Sequence, residues 1–202
     1  MTLRYTYTLF APIYDAFVAP FTAKMRQDSL RRLREGPHAD VLLVGVGSGL
    51  DLPLLPQGPR YTGLDLTPAM LARARRKAAD LGLDIRLDQG DARRLPYGDA
   101  TFDAVVLHLI LAVAPHPERM LAEAARVLRR GGRVLILDKF LRPGQKAPLR
   151  RLISPVLGVL ATRTDVVFEE ALAQTRGLEV VADQPALAGG WFRHIELRKT
   201  GL

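Results

Sequence analysis

No cysteine occurs in this chain of 202 residues. That excludes a disulfide framework, a thiolate metal site and a cysteine nucleophile, and it is compatible with a reducing compartment. Long apolar runs are missing too. The longest, at residues 104–114 and 152–161, fall short of the roughly 18 residues that a membrane-spanning helix needs. No basic stretch followed by an apolar one opens the sequence, so a soluble, cytoplasmic protein without a secretory leader is expected. Internal repeats and low-complexity linkers are absent, and residues 1–202 are read as a single domain long enough to bury a sizeable core.

What the chain has in excess is positive charge, 29 Lys and Arg against 21 Asp and Glu. The excess is concentrated. Residues 139–163 carry Lys139, Arg142, Lys146, Arg150, Arg151 and Arg163 with no acid, and residues 21–34 carry Lys24, Arg26, Arg31, Arg32 and Arg34 against Asp28. Together these two segments exceed the net charge of +8, so the remainder is slightly acidic. Cations interleaved with Leu, Ile, Val, Phe and Met suit an anionic membrane surface. Nucleic acid is a competing partner, and a solvated basic face is the plain alternative.

The motif-bearing part begins at residues 41–55, VLLVGVGSGLDLPLL. A short apolar run (41–44) reads as a buried strand, and Gly45, Gly47 and Gly49 follow as a turn that leaves room for a ligand to approach the backbone. Residues 61–65 read as a second strand ending in Asp65, an acid placed to accept ribose hydroxyls. The third glycine falls one residue early for a dinucleotide fingerprint, with Leu50 in its place. Further strands are predicted at 84–87, 104–111 and 134–137. Helices are predicted at 21–35 (closed by Gly36 and Pro37), 69–81 (with Thr67 as hydroxyl cap and Pro68 at the first position), 117–129 and 168–175. A final pair of strands is predicted at 178–182 and 191–199, joined through Gly189 and Gly190. Alternating strands and helices imply an α/β fold with a parallel sheet covered on both faces.

The ordered set Gly45/Gly47/Gly49, Asp65, Gly90-Asp91-Ala92, the 95–103 segment LPYGDATFD and the 128–133 segment LRRGGR resembles the class I S-adenosylmethionine (SAM) dependent methyltransferases over residues 40–140. With YTLFAPIYD (7–15) and GLDLTPAML (63–71) it looks like the soluble bacterial phosphatidylethanolamine N-methyltransferases, close to the ubiquinone/menaquinone C-methyltransferases. The resemblance implies a Rossmann-like seven-stranded, mostly parallel sheet with the last strand inserted antiparallel. It also implies a helical lid at 1–38 and a basic insertion at 139–165.

Carried over residue by residue, Gly45, Gly47 and Gly49 would line the methionine part of SAM. Asp65 would hold the ribose, Leu66 and Met70 would flank the adenine, Asp91 would accept from its amino group, and the Ala92 backbone would cap the ring edge. The family usually has an acid where this chain has Leu43, near the cofactor's amino group.

Methyl transfer from a sulfonium asks mainly for positioning and a free lone pair on the acceptor. His108, near the end of the fourth predicted strand, is the candidate base and a further cofactor contact, or else a packed core residue. Tyr14 is the second catalytic candidate. Six of the chain's thirteen aromatics (Tyr5, Tyr7, Phe10, Tyr14, Phe17 and Phe21) fall within its first 21 residues, where ring faces can hold a methylated ammonium or simply pack the helix. His116 and His194 read as structural or surface groups. No Asn/Asp-Pro-Pro-Tyr/Phe run follows the fourth strand, which disfavours methylation of nucleic acid. The expected activity is methyl transfer to a lipid-headgroup amine at the inner membrane face. The alternatives are a quinone or small soluble acceptor, or SAM binding without turnover. The sequence assigns no metal and no oligomeric state.

Overall fold

The computed structural model describes residues 20, 22–33, 39–140, 166–187 and 190–201. The lid aromatics Tyr5, Tyr7, Phe10, Tyr14, Phe17 and Phe21 lie outside the described residues, as does the basic insertion beyond Phe140 up to 165.

Helix α1 (22–30) leads to β1 (Asp40–Val44), a single 3-10 turn (Leu52–Leu54), β2 (Arg60–Asp65), α2 (Pro68–Asp80) and β3 (Ile85–Gln89). Then follow β4 (Phe102–His108), α3 (Pro117–Val127), β5 (Leu128–Lys139), α4 (Phe168–Ala173), β6 (Leu178–Leu187) and β7 (Phe192–Lys199). The strands form one sheet in the order β3-β2-β1-β4-β5-β7-β6. The first five are mutually parallel, and β7 lies antiparallel between β5 and β6. This is the Rossmann-like arrangement that the motifs imply.

The central strands are apolar throughout because both faces of a parallel sheet are covered. Side chains alternate between two cores. Leu42, Val44, Val105, Leu107, Val134 and Ile136 pack with α3 and α4. Val41, Leu43, Ala104, Val106 and Leu135 pack with α1 and α2. Leu43 is therefore an apolar core residue, buried to within 1% of full coverage. Among the described residues no helix is long and apolar enough to cross a membrane.

Several bounds differ from the sequence expectation for physical reasons. Strand β4 stops at His108 because Leu109 takes a left-handed backbone (φ 56°) that ends the ladder. Strand β5 starts six residues early. Leu128 pairs with Phe102, the register then shifts, and Ala104 pairs with Arg133, so residues 129–132 are accommodated as a bulge around Gly131 (φ 76°). Helix α2 has Pro68 at its first turn as expected, but the Thr67 hydroxyl makes no capping bond; the Thr67 N–H is instead held by Asp65. Strand β6 runs on to Leu187 as an edge strand.

Candidate active site

Strand order reverses between β1, which is followed by β2 on one side, and β4 on the other. In an open parallel sheet the crevice beyond the carboxyl ends of such a pair is where ligands lie. The glycine turn sits there. The N–H groups of Gly45 and Val46 both donate to the Leu64 carbonyl, at 2.7 and 3.0 Å, tying the turn to the end of β2. Gly45 and Gly47 both have positive φ, 71° and 55°, yet they serve different ends. A Cβ on Gly45 would stand 2.3 Å from the Ile110 side chain, whereas the nearest neighbour of a Cβ on Gly47 would be the Gly45 carbonyl at 3.9 Å. Gly45 is small for packing; Gly47 leaves open ground.

Asp65 ends β2 facing that ground. One carboxylate oxygen accepts the Gly47 N–H at 2.9 Å and the other the Thr67 N–H at 2.8 Å. Burial pushes this carboxyl up, against the pull of those backbone donors. Leu66, next in the chain, is an exposed apolar side chain, and Met70 is half-buried in the first turn of α2. The Asp65 carbonyl accepts the Gly90 N–H at 3.0 Å, which brings the segment after β3 to the same edge. Asp91 stands there with Ala92, which packs against the core. The Asp91 carboxylate is gripped by Arg93, through Nη2 at 2.7 Å, Nε at 3.0 Å and the backbone N–H at 2.9 Å, and Arg93 holds it below the usual carboxylate range. Arg93 has no part in the sequence reading, although any ligand that reaches Asp91 meets it.

His108 is buried at the end of β4. Its Nδ1–H donates to Asp51 Oδ1 at 3.0 Å, and Nε2 lies 2.9 Å from Ser29 Oγ. Asp51 Oδ1 also accepts from Arg26 Nη1 at 2.9 Å, and Arg26 Nε donates to Thr22 Oγ1 at 3.1 Å. Burial pushes the Asp51 carboxyl up, but its close neighbours His108 and Arg26, through electrostatic attraction and hydrogen bonds, outweigh it, so it lies far below the usual range. The histidine picked out in the sequence thus has both ring nitrogens engaged and joins α1, the turn after β1 and β4. Its partners escaped sequence reading. Tyr14 lies outside the described residues.

Two further groups complete this edge. Asp138, near the end of β5, is buried, and its two oxygens accept the Ala112 N–H at 3.0 Å and the Lys139 N–H at 2.8 Å. Burial pushes its carboxyl up to about 6. His194 on β7 donates from Nε2 to the Met25 carbonyl of α1 at 2.9 Å, and burial pushes its ring below the ordinary value. His116 is exposed, beside Glu118.

The residues present fit SAM: an open backbone at Gly47, a carboxylate bonded to its N–H, and an exposed apolar residue beside that acid. A family described as a methyltransferase domain matches residues 42–136. The chain is 41% identical over 162 residues to a phosphatidylethanolamine N-methyltransferase of Cereibacter sphaeroides, covering 79% of each protein. Among solved structures it is similar to the [4+2]-cyclase SpnF (TM-score 0.79, 18% identity, 98% of this chain and 95% of that one). A geranyl diphosphate methyltransferase in complex with SAM superposes with a TM-score of 0.70 at 19% identity, over 90% of this chain and 84% of that one.

Proposed function

Because this chain belongs to the class I SAM-dependent methyltransferases, we propose that its methyl acceptor is the amine of a phospholipid headgroup of the phosphatidylethanolamine kind. The observation that carries this reading is the 41% identity to the Cereibacter sphaeroides enzyme across 79% of both proteins. The two basic segments, 21–34 and 139–163, support it, since a lipid acceptor has to be met at an anionic surface. In this reading residues 1–38 would serve as the lid, Tyr14 would meet the acceptor and the 139–165 insertion would meet the membrane, all three being proposals from the sequence; Tyr14 and residues 141–165 lie outside the described residues.

SAM, when bound, supplies a methyl group already activated by the sulfonium. The chain's part is to hold the two reactants in line and keep water out. In this reading Gly45, Gly47 and Gly49 would line the methionine part of SAM, Asp65 would hold the ribose, and Asp91 and Ala92 would meet the edge of the adenine. The acceptor amine has to be unprotonated. For an amine with a pKa near that of lysine, about 10, this costs about 4 kcal/mol at neutral pH. His108, whose ring nitrogens are spent on Asp51 and Ser29, serves this reading as a support for the site rather than as a base.

The test is methyl-labelled SAM incubated with the protein and bacterial membranes plus cytosol, with Asp65→Ala as control, followed by organic extraction and chromatography. Label that migrates with methylated phosphatidylethanolamine is the expected result. Label in a quinone or a water-soluble product overturns the lipid-headgroup reading while leaving a methyltransferase.

A further inference from the structure

The amino-acid end of SAM carries an α-ammonium and an α-carboxylate, and a crevice with little water has to offer a charge of opposite sign to each. The carboxyl end of β1 offers none, since Leu43 and Val44 are buried and apolar, and Asp40 at its start is paired with Arg60 and Arg129. Asp65 is committed to the turn and to Thr67. The charged groups that flank the glycine turn at the point where strand order reverses are Asp51, two residues past Gly49, and Arg26, which faces it from α1 at 2.9 Å.

We propose that this pair holds the amino-acid end of the cofactor, with Asp51 taking the α-ammonium and Arg26 the α-carboxylate.

Three observations support the assignment. First, both side chains are more than nine-tenths buried, at 7% and 9% exposure. A buried ion pair is on its own a poor source of stability, because well-packed apolar residues do as well or better, so a pair kept beside a ligand crevice calls for another use. Second, the pair has capacity left. Asp51 uses Oδ1 for both Arg26 and His108, and Arg26 uses Nη1 and Nε, so Asp51 Oδ2 and Arg26 Nη2 take part in none of these bonds. Third, the charges balance. The pair is neutral as a unit and so is the ligand's amino-acid end, so the two meet head to tail without stranding a charge. Ser29 and His108 hold the carboxylate from behind: Asp51 receives the Nδ1–H of a ring whose Nε2 is occupied by Ser29, which fixes the tautomer and the direction of the carboxylate.

The assignment concerns the donor, so it stands whatever the methyl acceptor is. Calorimetric titration with S-adenosylhomocysteine and with methylthioadenosine tests it without turnover, since the second ligand has the same nucleoside and sulfur but no amino-acid end. In Asp51→Asn, which keeps the shape, S-adenosylhomocysteine should bind at least about tenfold more weakly while methylthioadenosine binds as before. Equal weakening of both, or of neither, overturns the assignment and leaves Asp51 as a strut. If that variant does not fold, the wild-type protein decides the matter through the ring nitrogen resonances of His108, which share the Asp51 oxygen. S-Adenosylhomocysteine should shift them and methylthioadenosine should not. An identical response to the two ligands overturns the proposal.

Discussion

The carboxylate of Asp65 accepts the backbone N–H of Gly47 at 2.9 Å, so the acid that ends β2 also holds the shape of the turn after β1. The side chain proposed to hold the ribose therefore also sets the turn geometry. Asp65→Ala should abolish SAM binding, because it removes a ribose acceptor and two hydrogen bonds to a charged group, each worth about 1.5–3 kcal/mol. Unchanged SAM affinity in a calorimetric titration would sink the ribose assignment.

Gly45 and Gly47 should part company when each is changed to alanine. At Gly45 the new methyl group must displace the Ile110 side chain besides bearing the left-handed backbone cost, so the melting temperature should fall further than for Gly47→Ala. At Gly47 the methyl group meets open ground, so the loss should stay near the roughly 1 kcal/mol that a left-handed alanine costs, yet cofactor affinity should fall steeply. A Gly47→Ala protein that binds SAM normally would show that no ligand approaches the backbone there.

Asp138 makes stability depend on pH. Its carboxyl titrates at about 6 in the folded chain, above the ordinary 3.8, so protonation favours folding. That contribution is complete below about pH 4 and is lost as the pH rises through about 6, amounting to about 3 kcal/mol. Asp138→Asn should remove it. In urea denaturation the variant should therefore gain on the wild type between pH 4 and 7; a constant difference across that range would contradict the assignment.

The basic insertion can be tested without reference to its conformation. Arg150→Glu with Arg151→Glu should leave S-adenosylhomocysteine affinity unchanged and weaken binding to anionic vesicles, by about 1 kcal/mol for each Lys or Arg removed from the surface. Flotation of variant and wild type with the same vesicles would return the segment to an ordinary solvated face.

The strand core was legible in the sequence because its signals are local. Runs such as 41–44 and 134–137 are apolar over the length of a strand, and the Gly45–Gly49 turn announces its own conformation. Asp65 and Asp91 could be placed because the first ends a strand and the second lies two residues past the end of the next. The cluster around His108 could not. Ser29, Asp51 and His108 are far apart in the chain, and only the pairing of β1 with β4 and the packing of α1 against the sheet bring them together. The start of β5 was missed for the opposite reason: Arg129 to Arg133 is polar and glycine-rich and reads as a loop, but a bulge lets it stay in the ladder opposite β4. Asp138 looks like an ordinary charged residue at a strand end, and nothing local tells that it is covered.

The bond from His194 to Met25 spans 169 positions, from the inserted strand β7 to helix α1. Seen as a process in time, this sets an order of events on the ribosome. The half from β1 to β4 emerges complete while β7 is still unmade, and β6 has no strand to pair with until β7 slides in beside β5. Helix α1 is synthesised before any of these strands, yet it gains this anchor after all of them. Until then α1 is held to the earlier strands only through its other bonds, such as Arg26 to Asp51 and Ser29 to His108.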